Sequence, residues 1–177
     1  MLRKRLWGLS LAGVGLVGCS QHPASPPKPK EEALIAACEI GSRLPEFSVE
    51  DFQGREVSSA DLRGKVVLID FWATWCQPCK KEMPGYQKLL DRYGSRGFAV
   101  IGLKFDTMMD MEDPVTFAKK LGVRYPLAVA ADDLKQKLGG IEGLPTTMLY
   151  DRQGILRKRV IGFEYTNVIE SELKPLL

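Results

Sequence analysis

Histidine is nearly absent from the sequence, since His22 is the only one among 177 residues. It lies in the stretch SQHPASPPKPK, where proline and polar residues dominate and no core can form. Because a second histidine is missing, a catalytic or metal site built on several histidines is excluded. We interpret His22 as a solvated linker residue.

The sequence also lacks an apolar run long enough for a stable membrane-spanning helix. The N-terminal run over residues 6–17 has about 12 residues, whereas a spanning helix needs roughly 20. Arg3, Lys4 and Arg5 precede this run, and small residues follow it just before Cys19. This order predicts a signal peptide that is removed from the mature protein.

The residues around the expected cleavage point form a motif of their own. Leu16-Val17-Gly18-Cys19 resembles the bacterial lipobox, in which the cysteine is lipidated and the chain is cut just before it. We predict that residues 1–18 are a lipoprotein signal peptide and that Cys19 is the lipid attachment site. The protein would then be extracytoplasmic, on the periplasmic side of the inner or outer membrane or on the outer face of a Gram-positive membrane. The alternative is an ordinary signal peptide with an unrelated cysteine.

The chain that remains after removal of this leader has no formal net charge. The formal net charge of the whole chain is +3, and residues 1–18 contain three basic residues and no acidic one. The remaining chain is neutral and shows no basic patch in its sequence, which argues against a nucleic-acid partner.

The rest of the chain divides into a tether and one domain. Residues 19–40 comprise the predicted lipidated cysteine and a proline-rich tether, and residues 41–177 have the pattern of one globular domain. Strands are predicted over residues 45–49, 56–58, 65–71, 98–105, 126–130, 146–150 and 155–161. Helices are predicted from the cysteine motif to residue 93 and over 114–121, 132–138 and 167–176, with one helical turn at 59–63. This alternation predicts an α/β fold with a mixed sheet and helices on both faces.

The only closely spaced cysteines are in Cys76-Gln77-Pro78-Cys79, where a predicted strand hands over to a helix. Two cysteines at this spacing can close a small disulfide ring. Free N–H groups and the positive dipole end at a helix start favour the thiolate of Cys76, which is the attacking species. Pro78 suits the first helical turn, where its missing donor is not needed.

The segment DFWATWCQPCK is similar to the active-site segment of thioredoxins, and residues 41–161 resemble the TlpA/ResA-like extracytoplasmic branch of that family. Trp75 before the first cysteine and the downstream Gly143-Leu144-Pro145-Thr146 support the match. The resemblance implies a thioredoxin-like mixed central sheet, an N-terminal β-hairpin and a central helix–strand insertion over about residues 106–130. It also implies a cis peptide bond before Pro145, which lies against the disulfide in the family.

Catalytic roles follow by position from this resemblance. Cys76 would be the exposed nucleophile that attacks a substrate disulfide, and Cys79 would resolve the mixed disulfide. Asp70 matches a buried carboxylate that assists proton transfer at the second cysteine, although a strand-end carboxylate facing water is the alternative. The surface that contacts the substrate is predicted to comprise five residues, namely Trp75, Gln77, Pro78, Leu144 and Pro145.

One position departs from the thioredoxin pattern. Gly102 stands where thioredoxin has a lysine near the buried carboxylate, and Lys104 lies two residues later on the same strand face. Lys104 could substitute for that lysine or be a solvated strand-end residue. Trp72 is expected to pack in the core.

Three other interpretations compete for the cysteines and methionines. A purely structural disulfide is disfavoured because a bridge over so short a loop constrains little of the unfolded chain. Zinc would need Cys38 and His22, which lie in or near the tether, so no metal site is predicted. Met108, Met109 and Met111 could bind copper, but flexible packing or a substrate surface explains them better. Cys38 remains unassigned.

The expected function is a membrane-anchored extracytoplasmic thiol–disulfide oxidoreductase that reduces disulfides in exported clients, such as apocytochrome c or a copper-site protein. The resemblance implies a membrane thiol-relay protein as electron donor and the Cys76–Cys79 disulfide as redox group, with no separate cofactor. The alternatives are a disulfide oxidase or isomerase with the same site, or a non-enzymatic lipoprotein that binds a partner.

Overall fold

The structure is a computed structural model that describes residues 39–105, 108–110 and 112–177. The predicted signal peptide and the tether up to residue 38 lie outside these residues, as do Cys19, His22, Cys38 and Met111. In chain order the elements are β1 (Ser48–Glu50), β2 (Glu56–Ser58), β3 (Val66–Trp72), α1 (Gln77–Tyr93), β4 (Phe98–Lys104), α2 (Pro114–Lys120), β5 (Leu127–Val129), α3 (Asp132–Lys137), β6 (Thr146–Tyr150), β7 (Leu156–Ile161) and α4 (Thr166–Leu173).

Five strands form a mixed sheet in the order β5-β4-β3-β6-β7. Strands β3, β4 and β5 are parallel, whereas β6 and β7 run antiparallel to their neighbours. Every residue of β3 is buried, as its near-continuous apolar sequence predicts for a central strand covered on both faces. The mixed sheet predicted from the sequence is therefore confirmed.

Separate apolar clusters cover the two faces of the sheet. Side chains of α1, α2 and α4 pack on one face, with Met83, Phe117 and Ile169 among them. Leu134 and Leu138, at α3, pack on the other face together with residues of the N-terminal hairpin. Because alternate residues of β3 point to opposite faces, this one strand joins both clusters.

In both hairpins, β1–β2 and β6–β7, the side chain of a buried aspartate stabilises the turn. Asp51 Oδ1 accepts hydrogen bonds from the backbone N–H groups of Gln53 and Arg55, and Asp151 Oδ1 does so from those of Gln153 and Ile155. The other carboxylate oxygen accepts from Arg55, just before β2, in the first hairpin and from Arg157, in β7, in the second. The turns expected at these points from their glycines are thus held by buried aspartates.

One local expectation needs correction. The first strand is shorter than predicted and covers only Ser48–Glu50. Before it, residues 41–44 bond to residues 154–156, and Phe47 bonds to Ser59. The turn predicted over residues 59–63 is present, because the N–H groups of Asp61, Leu62 and Arg63 each bond to the carbonyl three residues back, as in a short 3₁₀ turn. The predicted insertion supplies α2 and the edge strand β5, which pairs with β4.

Within the described part of the chain, none of the helices combines the length and apolar content that crossing a bilayer requires.

Candidate active site

The two cysteines lie where the central strand leads into the longest helix. Strand β3 ends at Trp72, and after a short loop Cys76 forms the N-cap of α1. Cys76 and Cys79 are joined by a disulfide, with their Cα atoms 5.4 Å apart. The chain thus places both sulfurs at the C-terminal edge of the parallel strands, a common position for functional groups in such sheets.

The helix start supplies electrostatic stabilisation to Cys76. The backbone N–H of Cys79 donates to Cys76 Sγ over 3.3 Å, so the sulfur takes the position of a capping oxygen. Pro78 lies in the first turn, and none of the first-turn residues is acidic. The positive end of the helix dipole is therefore available to stabilise a thiolate on Cys76 after reduction.

The exposure of the cysteines differs from the sequence expectation. Cys76 was predicted to be exposed, but in the disulfide form its relative exposure is 3%, against 0% for Cys79. The reason is local, because the Cys76 sulfur turns inward to its bond with Cys79 and to the helix N–H. The neighbouring Trp75 is 38% exposed, and Gln77 and Pro78 are also exposed.

A second loop presents the peptide bond expected to be cis. The Leu144–Pro145 bond is cis, as the family resemblance implies. Pro145 is buried, and its carbonyl accepts from the backbone N–H of Gly162 over 2.8 Å. Leu144 is half-buried against the core cluster that contains both cysteines. Leu144 also packs against the cluster on the other face of the sheet.

Asp70 lies on β3, between Gly102 of β4 and Thr147 of β6. Its exposure is 0%, which rules out the water-facing alternative, and neither carboxylate oxygen has a hydrogen-bond partner among the described residues. Burial raises the pKa of Asp70 well above its usual range, and the nearby carboxylate of Glu82 adds to the rise. Asp70 is suited to hold a proton inside the core.

Glu82 is the residue that the sequence analysis missed. It lies on α1 three residues after Cys79, is 1% exposed, and accepts from the backbone N–H of Glu164 over 2.5 Å through Oε1. Burial is the main cause that raises its pKa to about 7, with repulsion from Glu164 adding and hydrogen bonds from Glu164 N–H and Tyr86 opposing. The sequence feature that could have identified Glu82 is its spacing, which places a charged residue on the same helix face as Cys79 and Tyr86.

Polar side chains around these two carboxyl groups extend across the core. The hydroxyl of Tyr86 lies 3.0 Å from Thr147 Oγ1, and Thr147 is the strand neighbour of Asp70. Burial, with Asp70 next in weight, raises the pKa values of Tyr86 and Tyr125, so both phenols stay protonated. Glu82, with a pKa of about 7, is therefore the member of this buried set that exchanges a proton near neutral pH.

Lys104 does not replace the missing lysine of the thioredoxin pattern. Its side chain is 5% exposed and pairs with Asp110, whose other carboxylate oxygen accepts from Thr74 Oγ1 over 2.6 Å. A Cβ atom at Gly102 would lie 2.4 Å from Leu127 Cδ2 and 3.0 Å from Trp72 Nε1. The space beside Asp70 is thus filled from neighbouring side chains.

The aromatic and methionine predictions have separate outcomes. Trp72 is fully buried and stacks on Phe117 with ring centroids 5.2 Å apart, which confirms its packing role. Met108 and Met109 are exposed, at 105% and 58%. Among the described residues, no group of three or more His, Cys, Asp or Glu is placed to hold a metal ion.

Comparison with known proteins agrees with this geometry. The chain is 35% identical over 142 residues to the thiol-disulfide oxidoreductase ResA of Bacillus thuringiensis, covering 78% of this chain and 79% of the relative. It is 30% identical over 174 residues to the thioredoxin-like protein YneN of Bacillus subtilis, covering 98% of each. A thiol:disulfide interchange protein of Chlorobium tepidum has a similar structure, with a TM-score of 0.71 and 28% identity over 78% of this chain and 97% of that one.

Fold, disulfide and relatives together define a thiol–disulfide oxidoreductase with a thioredoxin fold. The sequence model of the AhpC/TSA family matches residues 40–159, and the chain belongs to that family.

Proposed function

We propose that this oxidoreductase reduces disulfide bonds in exported client proteins while anchored to a membrane through Cys19. The observation that carries the redox chemistry is the Cys76–Cys79 disulfide at the N-terminus of α1, with Cys76 as the N-cap. The similarity to ResA supports this class of reaction. The clients, such as apocytochrome c or a copper-site protein, and the direction of electron flow belong to the proposal.

The reaction begins from the dithiol form. The Cys76 thiolate attacks one sulfur of a client disulfide, forming a Cys76–client mixed disulfide and releasing the other client sulfur as a thiolate. Cys79, after losing its proton, attacks Cys76 Sγ and displaces the second client thiolate. The client gains two electrons and two protons, and Cys76 and Cys79 are left as a disulfide. A membrane thiol-relay protein restores the dithiol by the same exchange in reverse.

The surrounding residues have separate roles in this proposal. Asp70 and Glu82 hold and release the proton of Cys79. The exposed Trp75, Gln77 and Pro78 contact the client on one side of the disulfide. Leu144 and Pro145 contact it on the other side. The disulfide itself is the redox group, and no separate cofactor is proposed.

The chain organisation completes the proposal. Residues 1–18 direct export and are removed, residues 19–40 tether the lipidated Cys19 to the domain, and residues 41–177 carry the activity outside the cytoplasm. The test of anchoring is incorporation of labelled palmitate, which we expect in the wild-type protein and not in Cys19→Ser. Labelling of both proteins, or of neither, would overturn it.

The test of activity is reduction of insulin with a suitable electron donor. We expect turnover by the wild-type protein and loss of at least about a hundredfold in Cys76→Ser, because the thiolate that attacks the client disulfide is removed and Cys79 is fully buried. Glu172→Gln, an exposed change on α4, is the matched control. Equal turnover by both proteins would contradict Cys76 as the nucleophile, and no turnover by either would favour a protein that only binds a partner.

A further inference from the structure

A cationic pocket lies at the end of the sheet opposite the disulfide. It has a volume of about 170 Å³ and is bordered by Arg43, Arg63, Lys65 and Arg152, with Glu46 as the acidic residue at its rim. Residues 39–177 as a whole contain equal numbers of basic and acidic residues, so the local excess of cations is a feature of this place. The sequence shows no basic run because these cations come from separate segments.

Backbone contacts hold the wall of this pocket in place. Arg152 donates to backbone oxygens of Gly64, Arg96 and Leu177 at 3.0, 2.8 and 2.9 Å, so its guanidinium is held in place. Arg63 makes one ion pair to Glu46 at 3.3 Å, and both side chains are largely exposed. Such an exposed ion pair is weak, so another anion can replace Glu46 as the partner of Arg63.

The pocket also lies where the chain enters the domain. The backbone N–H of Leu44 donates to the carbonyl of Gly154 over 2.7 Å, and both residues line the pocket. Gly41 and Ser42 bond instead to Leu156 at the start of β7, so this first described segment runs along β7 toward the pocket. The active site lies beyond the far end of β3, roughly 20 Å away for a seven-residue strand at about 3.3 Å per residue.

We propose that this pocket binds the phosphate headgroup of an anionic phospholipid in the bilayer that anchors the protein. The proposal rests on the proposed anchoring through Cys19. A tethered domain meets headgroups at high effective concentration, so a weak site is sufficient. Each cation near an anionic surface strengthens binding by roughly fivefold. Docking in this orientation turns Cys76 away from the membrane and toward clients.

The experiment uses the full lipidated protein in vesicles of phosphatidylcholine, with or without phosphatidylglycerol. The readout is the rate at which an amine-reactive reagent modifies Lys65, relative to the exposed Lys88 on α1. We expect at least fivefold slower modification of Lys65 in the anionic vesicles at low salt, and recovery in high salt. Equal rates in both vesicles would overturn the proposal.

Variants separate the pocket from general charge effects. Arg43→Glu with Arg63→Glu should abolish the difference between the vesicles, whereas Lys81→Glu with Lys119→Glu, which makes the same change elsewhere, should keep it. Inorganic phosphate added to phosphatidylcholine vesicles provides the second arm. Protection of Lys65 by free phosphate equal to that by lipid would contradict a headgroup site.

Flotation of the vesicles distinguishes this proposal from the proposed anchoring. If the wild-type protein floats with neither vesicle, the proposed anchoring is contradicted, and so is the headgroup proposal that rests on it. Protein that floats with both vesicles but shows no protection of Lys65 contradicts the pocket alone.

Discussion

Glu82 Oε1 accepts a hydrogen bond from the backbone N–H of Glu164 over 2.5 Å and so joins helix α1 to the loop before α4. The bond fixes a buried carboxyl group on the same helix face as Cys79, one turn further along. Its pKa of about 7 makes it a group that can both hold and release a proton at neutral pH.

Replacement of Glu82 should change the pH dependence of exchange. In wild type we expect client reduction to accelerate as pH rises through about 7, because ionised Glu82 accepts the Cys79 proton. Glu82→Gln should lose this rise and be roughly tenfold slower at pH 8. Stopped-flow rates across pH 5–9, with Glu172→Gln as control, measure both effects. If the rate of client reduction still rises near pH 7 in Glu82→Gln, the rise comes from ionisation of a cysteine and not from Glu82.

Stability of the oxidised protein should fall as pH rises from about 4.5 through 7. The folded protein keeps a proton on Glu82 that the unfolded chain has lost in this range, so the folded state binds more protons. The loss from Glu82 is up to about 3 kcal/mol, and Asp70 acts in the same direction. Urea unfolding at each pH measures the slope, which should flatten in Glu82→Gln. An unchanged slope in Glu82→Gln contradicts the assignment.

Gly102→Ala should destabilise the protein by about 1–3 kcal/mol, because the new Cβ meets Leu127 and Trp72. The measurement is the free energy of unfolding in denaturant, and the control is the double-mutant cycle with Leu127→Ala. The double variant should lose less than the sum of the single variants. Additive losses would show that contact with Leu127 is not the cause of the destabilisation by Gly102→Ala.

Lys104→Met should destabilise the protein by about 3 kcal/mol, because it leaves the carboxylate of Asp110 with one partner fewer in a largely buried place. The double change Lys104→Met with Asp110→Asn should recover part of this loss. Thermal unfolding of the wild type and these two variants tests it. Equal stability of Lys104→Met and wild type would show that the pair contributes nothing.

The sequence was sufficient for the elements that local chemistry determines. The apolar run before Asp70 predicts a central strand, and the cysteine motif with Pro78 predicts the helix start. The turns near Gly54 and Gly154 are also apparent from composition. Each of these features depends on neighbours close in the chain, so a pattern within a short window reports it.

Long-range partners could not be predicted in the same way. Lys104 was left with two interpretations because its partner, Asp110, lies in the loop that follows β4, outside any regular pattern. Glu82 was passed over because helices commonly carry glutamate, and its burial depends on the distant Glu164.

The most direct test of the central claim is the reduction potential of the Cys76–Cys79 pair. Equilibration in dithiothreitol or glutathione buffers, followed by fluorescence of the half-exposed Trp75 and the buried Trp72, gives this value. A reductant of exported clients should have a potential near that of thioredoxin, about −270 mV. A value near about −120 mV, typical of a strong disulfide oxidant, would contradict the proposed direction and make this protein a disulfide donor.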